Sequence, residues 1–234
     1  MDQKTVAELL ALVKRNYQEI AADFNLTRKK EVWPEIKKLA EKVSAGSRVL
    51  DVGCGNGRLL EVLPDNKIEY LGLDNSAELV KIASQNYPTQ KFLVADILKL
   101  ESVKEISSGT YDYVFCLAVL QHIPSRELRI EALRQLAVPL NTSGRLILSS
   151  WNLWVSPKHR PLLFKNYGLK IIGRNKLGFN DLLFPWKNAQ GEATSERYYH
   201  AFTKKELKKL GRLAGLKLIS LKRDHYNFWA IWTK

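Results

Sequence analysis

Apolar positions recur at helical spacing through the first two dozen residues. Val6, Leu9, Leu10, Val13, Tyr17, Ile20, Ala21 and Phe24 share one face, which predicts a helix over residues 4–24. Pro34 suits a first helical turn and opens a second helix over 34–43. The rhythm then changes. Short apolar runs at 47–52, 69–73, 91–94, 113–117 and 145–149 read as strands, and the segments 58–63, 77–86 and 125–140 between them read as helices. Strands alternating with helices predict a parallel sheet with helices on both faces.

Residues 152–196 scatter aromatic, glycine, proline and basic residues without a clear period, apart from a hairpin of 181–187 against 196–202. Thr203-Lys204-Lys205-Glu206 has the form of a capping box and starts a helix running to 214. Strands at 217–222 and 227–232 are separated by few residues, which predicts an antiparallel pair. The expected fold is α/β, a mixed seven-stranded sheet in one domain. Its parts are a helical cap at 1–44, a core at 45–151, an insertion at 152–202, and the last helix and strand pair at 203–234.

Composition narrows the class. The chain has 234 residues, 45% of them hydrophobic, enough for one sizeable core. Its longest apolar run, residues 113–120, falls well short of the ~20 residues that span a bilayer. The first residues lead into no secretory-type apolar stretch, and two cysteines are too few for a disulfide framework or a cysteine-only metal site. The expectation is a cytoplasmic, metal-free protein with no membrane contact. The charge is uneven: residues 1–150 are nearly balanced, whereas 151–234 hold 17 basic and five acidic side chains. That asymmetry points to a polyanion partner, nucleic acid before others, against the blander reading of a solvated Lys-rich surface.

Asp51-Val52-Gly53-Cys54-Gly55-Asn56-Gly57 falls between a strand and a helix. Its glycines let the backbone approach a ligand and turn amide groups towards it. The dinucleotide fingerprint Gly-x-Gly-x-x-Gly would need glycine where Arg58 stands, which weighs against a nicotinamide cofactor. Asp74 ends the second strand, placed to accept from two ribose hydroxyls. Asp96 ends the third, where an adenine amino group can donate to it. Singly, each strand-end aspartate also reads as a cap or turn former. Together, Asp51, Asp74 and Asp96 mark the carboxyl edge of the sheet, where open α/β sheets bind ligands. Cys54 and Cys116 read as small hydrophobes.

Val49-Leu50-Asp51-Val52-Gly53-Cys54-Gly55-Asn56-Gly57, Leu71-Gly72-Leu73-Asp74, Val94-Ala95-Asp96-Ile97 and Tyr111-Asp112-Tyr113-Val114-Phe115 resemble four motifs of the class I S-adenosylmethionine-dependent methyltransferases. Order, spacing and strand context agree over residues 45–150. The resemblance implies a Rossmann-like fold and S-adenosylmethionine as cofactor. It implies that Asp51 and Gly53 lie near the methionine end, Asp74 at the ribose, and Asp96 and Ile97 at the adenine. Cys54, Gly55, Gly57, Asn75 and Leu117 complete the implied cofactor site.

Three further stretches are more distinctive. They are Tyr17 to Phe24 with Thr27-Arg28 and Trp33-Pro34; Ala118-Val119-Leu120-Gln121-His122 with Arg126 and Arg129; and Pro185-Trp186 with Arg197-Tyr198-Tyr199-His200 and Phe202. Together they resemble the tRNA methyltransferases that esterify a 5-carboxymethyl group on wobble uridine 34. The resemblance implies a tRNA anticodon loop as substrate and, as in many relatives, a small activator subunit as partner. This chain departs at Gln121, where the family often has histidine, and at Ser143-Gly144, where two glycines are common. Residues 152–180 match least.

The chemistry can be weighed separately. A carboxylate, with a pKa near ~4, is ionised at neutral pH and needs no general base. It needs alignment with the methyl group at about 3 Å and a cation to hold it, ideally a planar fork. Arg28 and Arg197 are the candidates and, with His122, the expected catalytic residues. Tyr17, Trp33, Trp186, Tyr198 and Tyr199 offer stacking faces for an unpaired base, and His122 and His200 offer donors. Blander readings stand beside these. Arg28 is solvated or touches phosphate, Arg197 pairs with Glu196 or Asp181, and Trp33 staples a helix start. One of Tyr198 and Tyr199 faces the core, and His200 is structural. Lys205, Lys208, Lys209 and Arg212 share a helix face that suits phosphate. Competing functions are a small-carboxylate or quinone-like metabolite methyltransferase and a non-catalytic RNA-binding module.

Overall fold

Strict alternation along the central strands settles the layers. Leu50 and Val52 point to one side of the sheet and Val49 to the other. Leu71 and Leu73 oppose Tyr70, and Val114 and Cys116 oppose Phe115. A strand buried on both faces is what a parallel sheet between helical layers requires. The computed structural model describes residues 1–27, 31–64, 67–107, 110–187 and 191–234.

The strands are β1 (Arg48–Val52), β2 (Glu69–Asp74), β3 (Lys91–Val94), β4 (Tyr111–Leu117), β5 (Leu140–Trp151), β6 (Asp181–Lys187), β7 (Ala193–His200), β8 (Lys217–Arg223) and β9 (Asn227–Thr233). Seven of them form one sheet in the order β3-β2-β1-β4-β5-β9-β8, and β6 pairs with β7 in a second, two-stranded sheet. β1 to β5 run parallel, whereas β9 runs antiparallel to both β5 and β8. The helices are α1 (Gln3–Glu19), α2 (Ala21–Thr27), α3 (Pro34–Ala40), α4 (Ala77–Asn86), α5 (Lys104–Ser107), α6 (Arg126–Ala137), α7 (Arg160–Ile171) and α8 (Lys204–Leu213). α3 and α4 cover one face of the large sheet through Ile36, Leu39, Val80 and Ala83. α5, α6 and α8 cover the other through Ile106, Leu133, Leu136, Leu207 and Leu210. Among the described residues no helix is long and apolar enough to cross a membrane.

Several elements differ from the expectation. The first helical pattern is broken at Ile20 into α1 and α2, although Ile20 and Ala21 stay buried on the shared face. After β1 comes a 3₁₀ turn, Arg58–Glu61, in place of an α-helix. Gly57 enters it at φ 82°, and Pro64 lies close beyond it and disfavours helical backbone before it. α7 lies in a stretch where no helix was expected, because its apolar residues fall on every side and leave no polar stripe. Thr203 Oγ1 accepts from Glu206 N, as a capping box requires.

The small sheet is packed on both sides. Tyr199, Leu182 and Phe184 meet Leu163 of α7, while Tyr198 and Leu183 meet Leu9, Leu12 and Val13 of α1. Both Tyr198 and Tyr199 are therefore fully buried, where strand alternation alone had placed only one of them in the core.

Candidate functional site

The ends of β1 to β5 and the helix α1 enclose a cavity of about 390 Å³. Each strand contributes as its chain leaves the sheet. Asp51, Gly53 and Gly55 come from β1 and the loop after it, Asp74 and Asn75 from β2, Asp96 and Ile97 from β3, Leu117 and His122 from β4, and Trp151 from β5. Leu10, Val13 and Tyr17 of α1 and Tyr199 of β7 close the top.

The glycine loop is held to its neighbours by backbone bonds. Gly53 N and Cys54 N both donate to Leu73 O, at 2.7 and 2.9 Å. Asp74 ties this loop to the start of α4: its Oδ2 accepts from Gly55 N and its Oδ1 from Ser76 N, each at 2.9 Å. Burial raises Asp74 above the ordinary carboxylate range, and these amides act against the shift. Asp51 is pushed further, to about 7, by burial in the first place and by the charge of Asp74; the Tyr70 hydroxyl, donating at 2.9 Å, opposes it. Asp96 accepts from Leu98 N at 2.9 Å, so it caps the next turn and lines the cavity at once. Burial raises the Cys54 thiol well above its usual range, which keeps it protonated.

Gly53 cannot carry a side chain. Its φ is 77°, and a β-carbon there would lie 2.2 Å from Val119 Cγ2. Gly53→Ala is expected to destabilise the protein by about 1–3 kcal/mol. Thermal denaturation reads this directly, and an unchanged midpoint would contradict it. Gly57 does not line the cavity. A β-carbon there would meet the rings of Tyr87 and Phe92, so this glycine serves packing rather than the ligand face.

His122 sits at the inner end of the cavity, and both its nitrogens are engaged. Nδ1 faces the carbonyl of Tyr198 at 3.3 Å, and Nε2 lies 2.8 Å from the Tyr17 hydroxyl. Burial first, then the charge of Arg197, hold its pKa down to about 3, so the ring is neutral. A carbonyl only accepts, so Nδ1 carries the proton and the Tyr17 hydroxyl donates to Nε2. His122 thus orients Tyr17 rather than donating to a ligand.

The remaining expected residues divide. Trp33 lines the cavity, set edge-on to Trp229 at 6.2 Å. Arg197 and Trp186 lie outside the cavity lining, behind Tyr199. The Arg197 guanidinium lies 4.3 Å from the Trp186 ring, 4.9 Å from Phe184 and 5.5 Å from Tyr199. Its Nη1 donates to the Tyr199 hydroxyl at 3.3 Å. Among the described residues it pairs with no carboxylate, neither Glu196 nor Asp181, and its buried Nε has no hydrogen-bond partner. Tyr198 and His200 turn away from the cavity. The Tyr198 hydroxyl donates to Asp181 at 2.8 Å and takes a bond from Arg129, and His200 stands between Asp181 and Glu206 at 2.6 and 2.7 Å. Arg28 lies outside the described residues. Trp151, Gln121 and, from α1, Leu10, Ala11, Val13 and Lys14 line the cavity without having been expected there. Trp151 stands at the end of the fifth strand, so the strand-end rule that found Asp74 and Asp96 would have found it too.

The comparisons agree with this geometry. The family model described as a methyltransferase domain matches residues 24–221. The tRNA (carboxymethyluridine(34)-5-O)-methyltransferase of Schizosaccharomyces pombe is 29% identical over 237 residues, covering 94% of this chain and 94% of that protein. Among solved structures, an S-adenosylmethionine-dependent methyltransferase from Methanosarcina mazei superposes with a TM-score of 0.67 at 16% identity, covering 88% of this chain and 99% of that one. A methyltransferase from a Haloferax volcanii complex with the Trm112 methyltransferase activator gives 0.61 at 16% identity, over 94% and 96% of the two chains. The chain belongs to the methyltransferase-domain family.

Proposed function

We propose that this protein transfers a methyl group from S-adenosylmethionine to the 5-carboxymethyl group of uridine 34 in tRNA, forming the methyl ester. The observation that carries the substrate is the likeness to the S. pombe enzyme across 94% of both chains. That likeness takes in the 152–202 insertion as well as the cofactor-binding strands. The net charge of the rear segment favours RNA over a small metabolite. A small activator subunit belongs to the same reading, on the likeness to the H. volcanii methyltransferase.

The cavity's chemistry fits the cofactor. A ribose diol needs acceptors, and each Asp74 oxygen keeps a second lone pair beyond its amide bond. Asp96 suits the adenine amino group, with Ile97 against the ring. Asp51 is the acid nearest the cationic methionine end on this reading. When bound, S-adenosylmethionine supplies an electrophilic methyl group on a positively charged sulfur.

What the chain must add is alignment. A carboxylate oxygen of the substrate attacks the methyl carbon as the carbon–sulfur bond breaks, and no proton is exchanged. With its pKa held down to about 3, His122 is a weak base, which suits a reaction that needs none. Arg197, caged by Trp186, Phe184 and Tyr199 and unpaired with any described carboxylate, lies behind the cavity wall and bears on the substrate carboxylate through the Tyr199 hydroxyl to which it donates. The test is labelled methyl transfer to tRNA from cells lacking the wobble ester, with nucleoside mass spectrometry of the product. A base-labile methyl ester on carboxymethyluridine is expected. Intact cofactor binding without any labelled nucleoside, with a small activator subunit also supplied, would move the assignment to a metabolite substrate.

A further inference from the structure

α7 is apolar on both faces. On its inner side Leu163 is fully buried against Leu182, Phe184 and Tyr199, and Asn166 Nδ2 donates to the backbone oxygen of Asp181. Its outer side, read at spacings of four, is Arg160, Phe164, Gly168 and Ile172, with Lys165 and Ile171 beside them. Phe164, Ile171 and Ile172 are 62, 74 and 61% exposed, and Phe179 just beyond the helix is 48% exposed. Nothing described covers this surface. Apolar groups gathered in this way mark an interaction site more often than chance exposure.

The rings are held in place. Phe164 stands edge-on to Trp154 at 6.3 Å, and Tyr167, 6.3 Å from the same Trp154, meets Phe179 at 5.1 Å. Trp154 is itself anchored by Nε1 donating to Ala201 O at 3.2 Å. Gly168 leaves the ridge flat between Phe164 and Ile172. A β-carbon there would meet nothing within 4 Å, so packing does not demand glycine, and alanine would favour the helix more.

Charge selects the occupant. Lys158, Arg160, Lys165, Arg174 and Lys176 are exposed around the ridge, and residues 152–180 contain no aspartate or glutamate. Braced aromatic faces set among exposed cations are what single-stranded nucleic acid binds: bases stack on the rings and phosphates track the lysines. Trp154, which braces Phe164, belongs to the same buried cluster as Tyr199 and Trp151, two residues of the cavity wall. We propose that the outer face of α7, with Phe179, is an RNA-docking platform that stacks unpaired nucleotides of the substrate tRNA outside the cofactor cavity. This rests on the tRNA reading above.

The test uses the full chain with tRNA substrate and four proteins: wild type, Phe164→Ala/Phe179→Ala, Phe164→Trp and Lys165→Glu. The alanine pair is expected to raise the KM for tRNA about tenfold or more, the size of a lost stacking contact. The kcat and the affinity for S-adenosylhomocysteine should stay unchanged. Phe164→Trp should match the wild type, and Lys165→Glu should weaken tRNA binding most at low salt. If the wild type methylates tRNA and the alanine pair keeps its KM, the platform is wrong and the tRNA reading stands. A wild type that neither binds nor methylates tRNA sinks both. Binding to phosphatidylserine vesicles that the alanine pair loses, with tRNA KM unmoved, would assign the face to lipid and overturn the proposal.

Discussion

Asp74→Ala is expected to weaken cofactor binding by roughly 10²–10³-fold. Two terms add. On the proposed reading the carboxylate binds the ribose diol, and hydrogen bonds to a charged group are worth about 1.5–3 kcal/mol each. The same side chain also fixes the loop, since Gly55 N and Ser76 N both donate to it at 2.9 Å. Without it, two amides at the cavity wall lose their acceptor and the loop that frames the ligand relaxes. Asp74→Asn, which keeps one oxygen acceptor, should lose less. Calorimetric titration with S-adenosylhomocysteine reads both. An affinity within about threefold of wild type, in a folded variant, would show that Asp74 does not hold the ligand.

Asp181→Ala should be the most destabilising single change among the polar residues, by about 3–5 kcal/mol. Asp181 and Arg129 are almost wholly buried and paired at 3.2 Å. Asp181 also accepts from Tyr198 Oη at 2.8 Å and from Gly178 N at 2.8 Å, and it faces His200 Nδ1 at 2.6 Å. Glu206 faces the other nitrogen of His200 and lies 3.9 Å from Arg129. Removing this carboxylate leaves the buried guanidinium with only the more distant Glu206, and it is such poorly compensated charge that makes breaking a buried pair so costly. For a chain of this size the melting temperature should fall on the order of 6–20 °C.

The pH dependence has a definite sign. Burial alone would raise Asp181, but the hydrogen bond and charge of His200 and the charge of Arg129 outweigh it and hold the carboxyl at about 2, below the ordinary 3.8. A depressed carboxyl stabilises the fold fully above its unfolded pKa. That stability is lost as pH falls from about 3.8 towards 2. Urea unfolding across this window should show a steeper acid loss in wild type than in Asp181→Asn. Equal slopes, or an alanine variant within about 1 kcal/mol of wild type, would contradict the network's role.

Much of the cofactor side of the site was legible in the sequence, because it is built locally. Asp51 to Gly57, Asp74 and Asp96 each sit where a strand ends, and a strand end is announced by its own apolar run and the turn residues after it. β8 and β9 were legible for the same reason, being joined by a turn too short for anything but an antiparallel pair. The substrate side was far less legible. Whether Arg197 is a clamp, a salt bridge or a surface cation depends on what stands across the strand pair. What stands there, Phe184 opposite it and Trp186 beside it, comes from the β6–β7 register.

Arg129, in the sequence only part of a family pattern, is paired with an aspartate 52 positions away. Tyr198 and His200 have the residue types of a binding surface, but α1 packs over Tyr198, and Asp181 and Glu206 take the two nitrogens of His200. The layers and the strand-edge acids could be read from the chain alone, since these arise from periodicity and backbone preference over a few residues. Which polar side chains face a cavity, and which are spent on holding the insertion to the core, came from the folded arrangement, because burial and pairing belong to groups far apart along the chain.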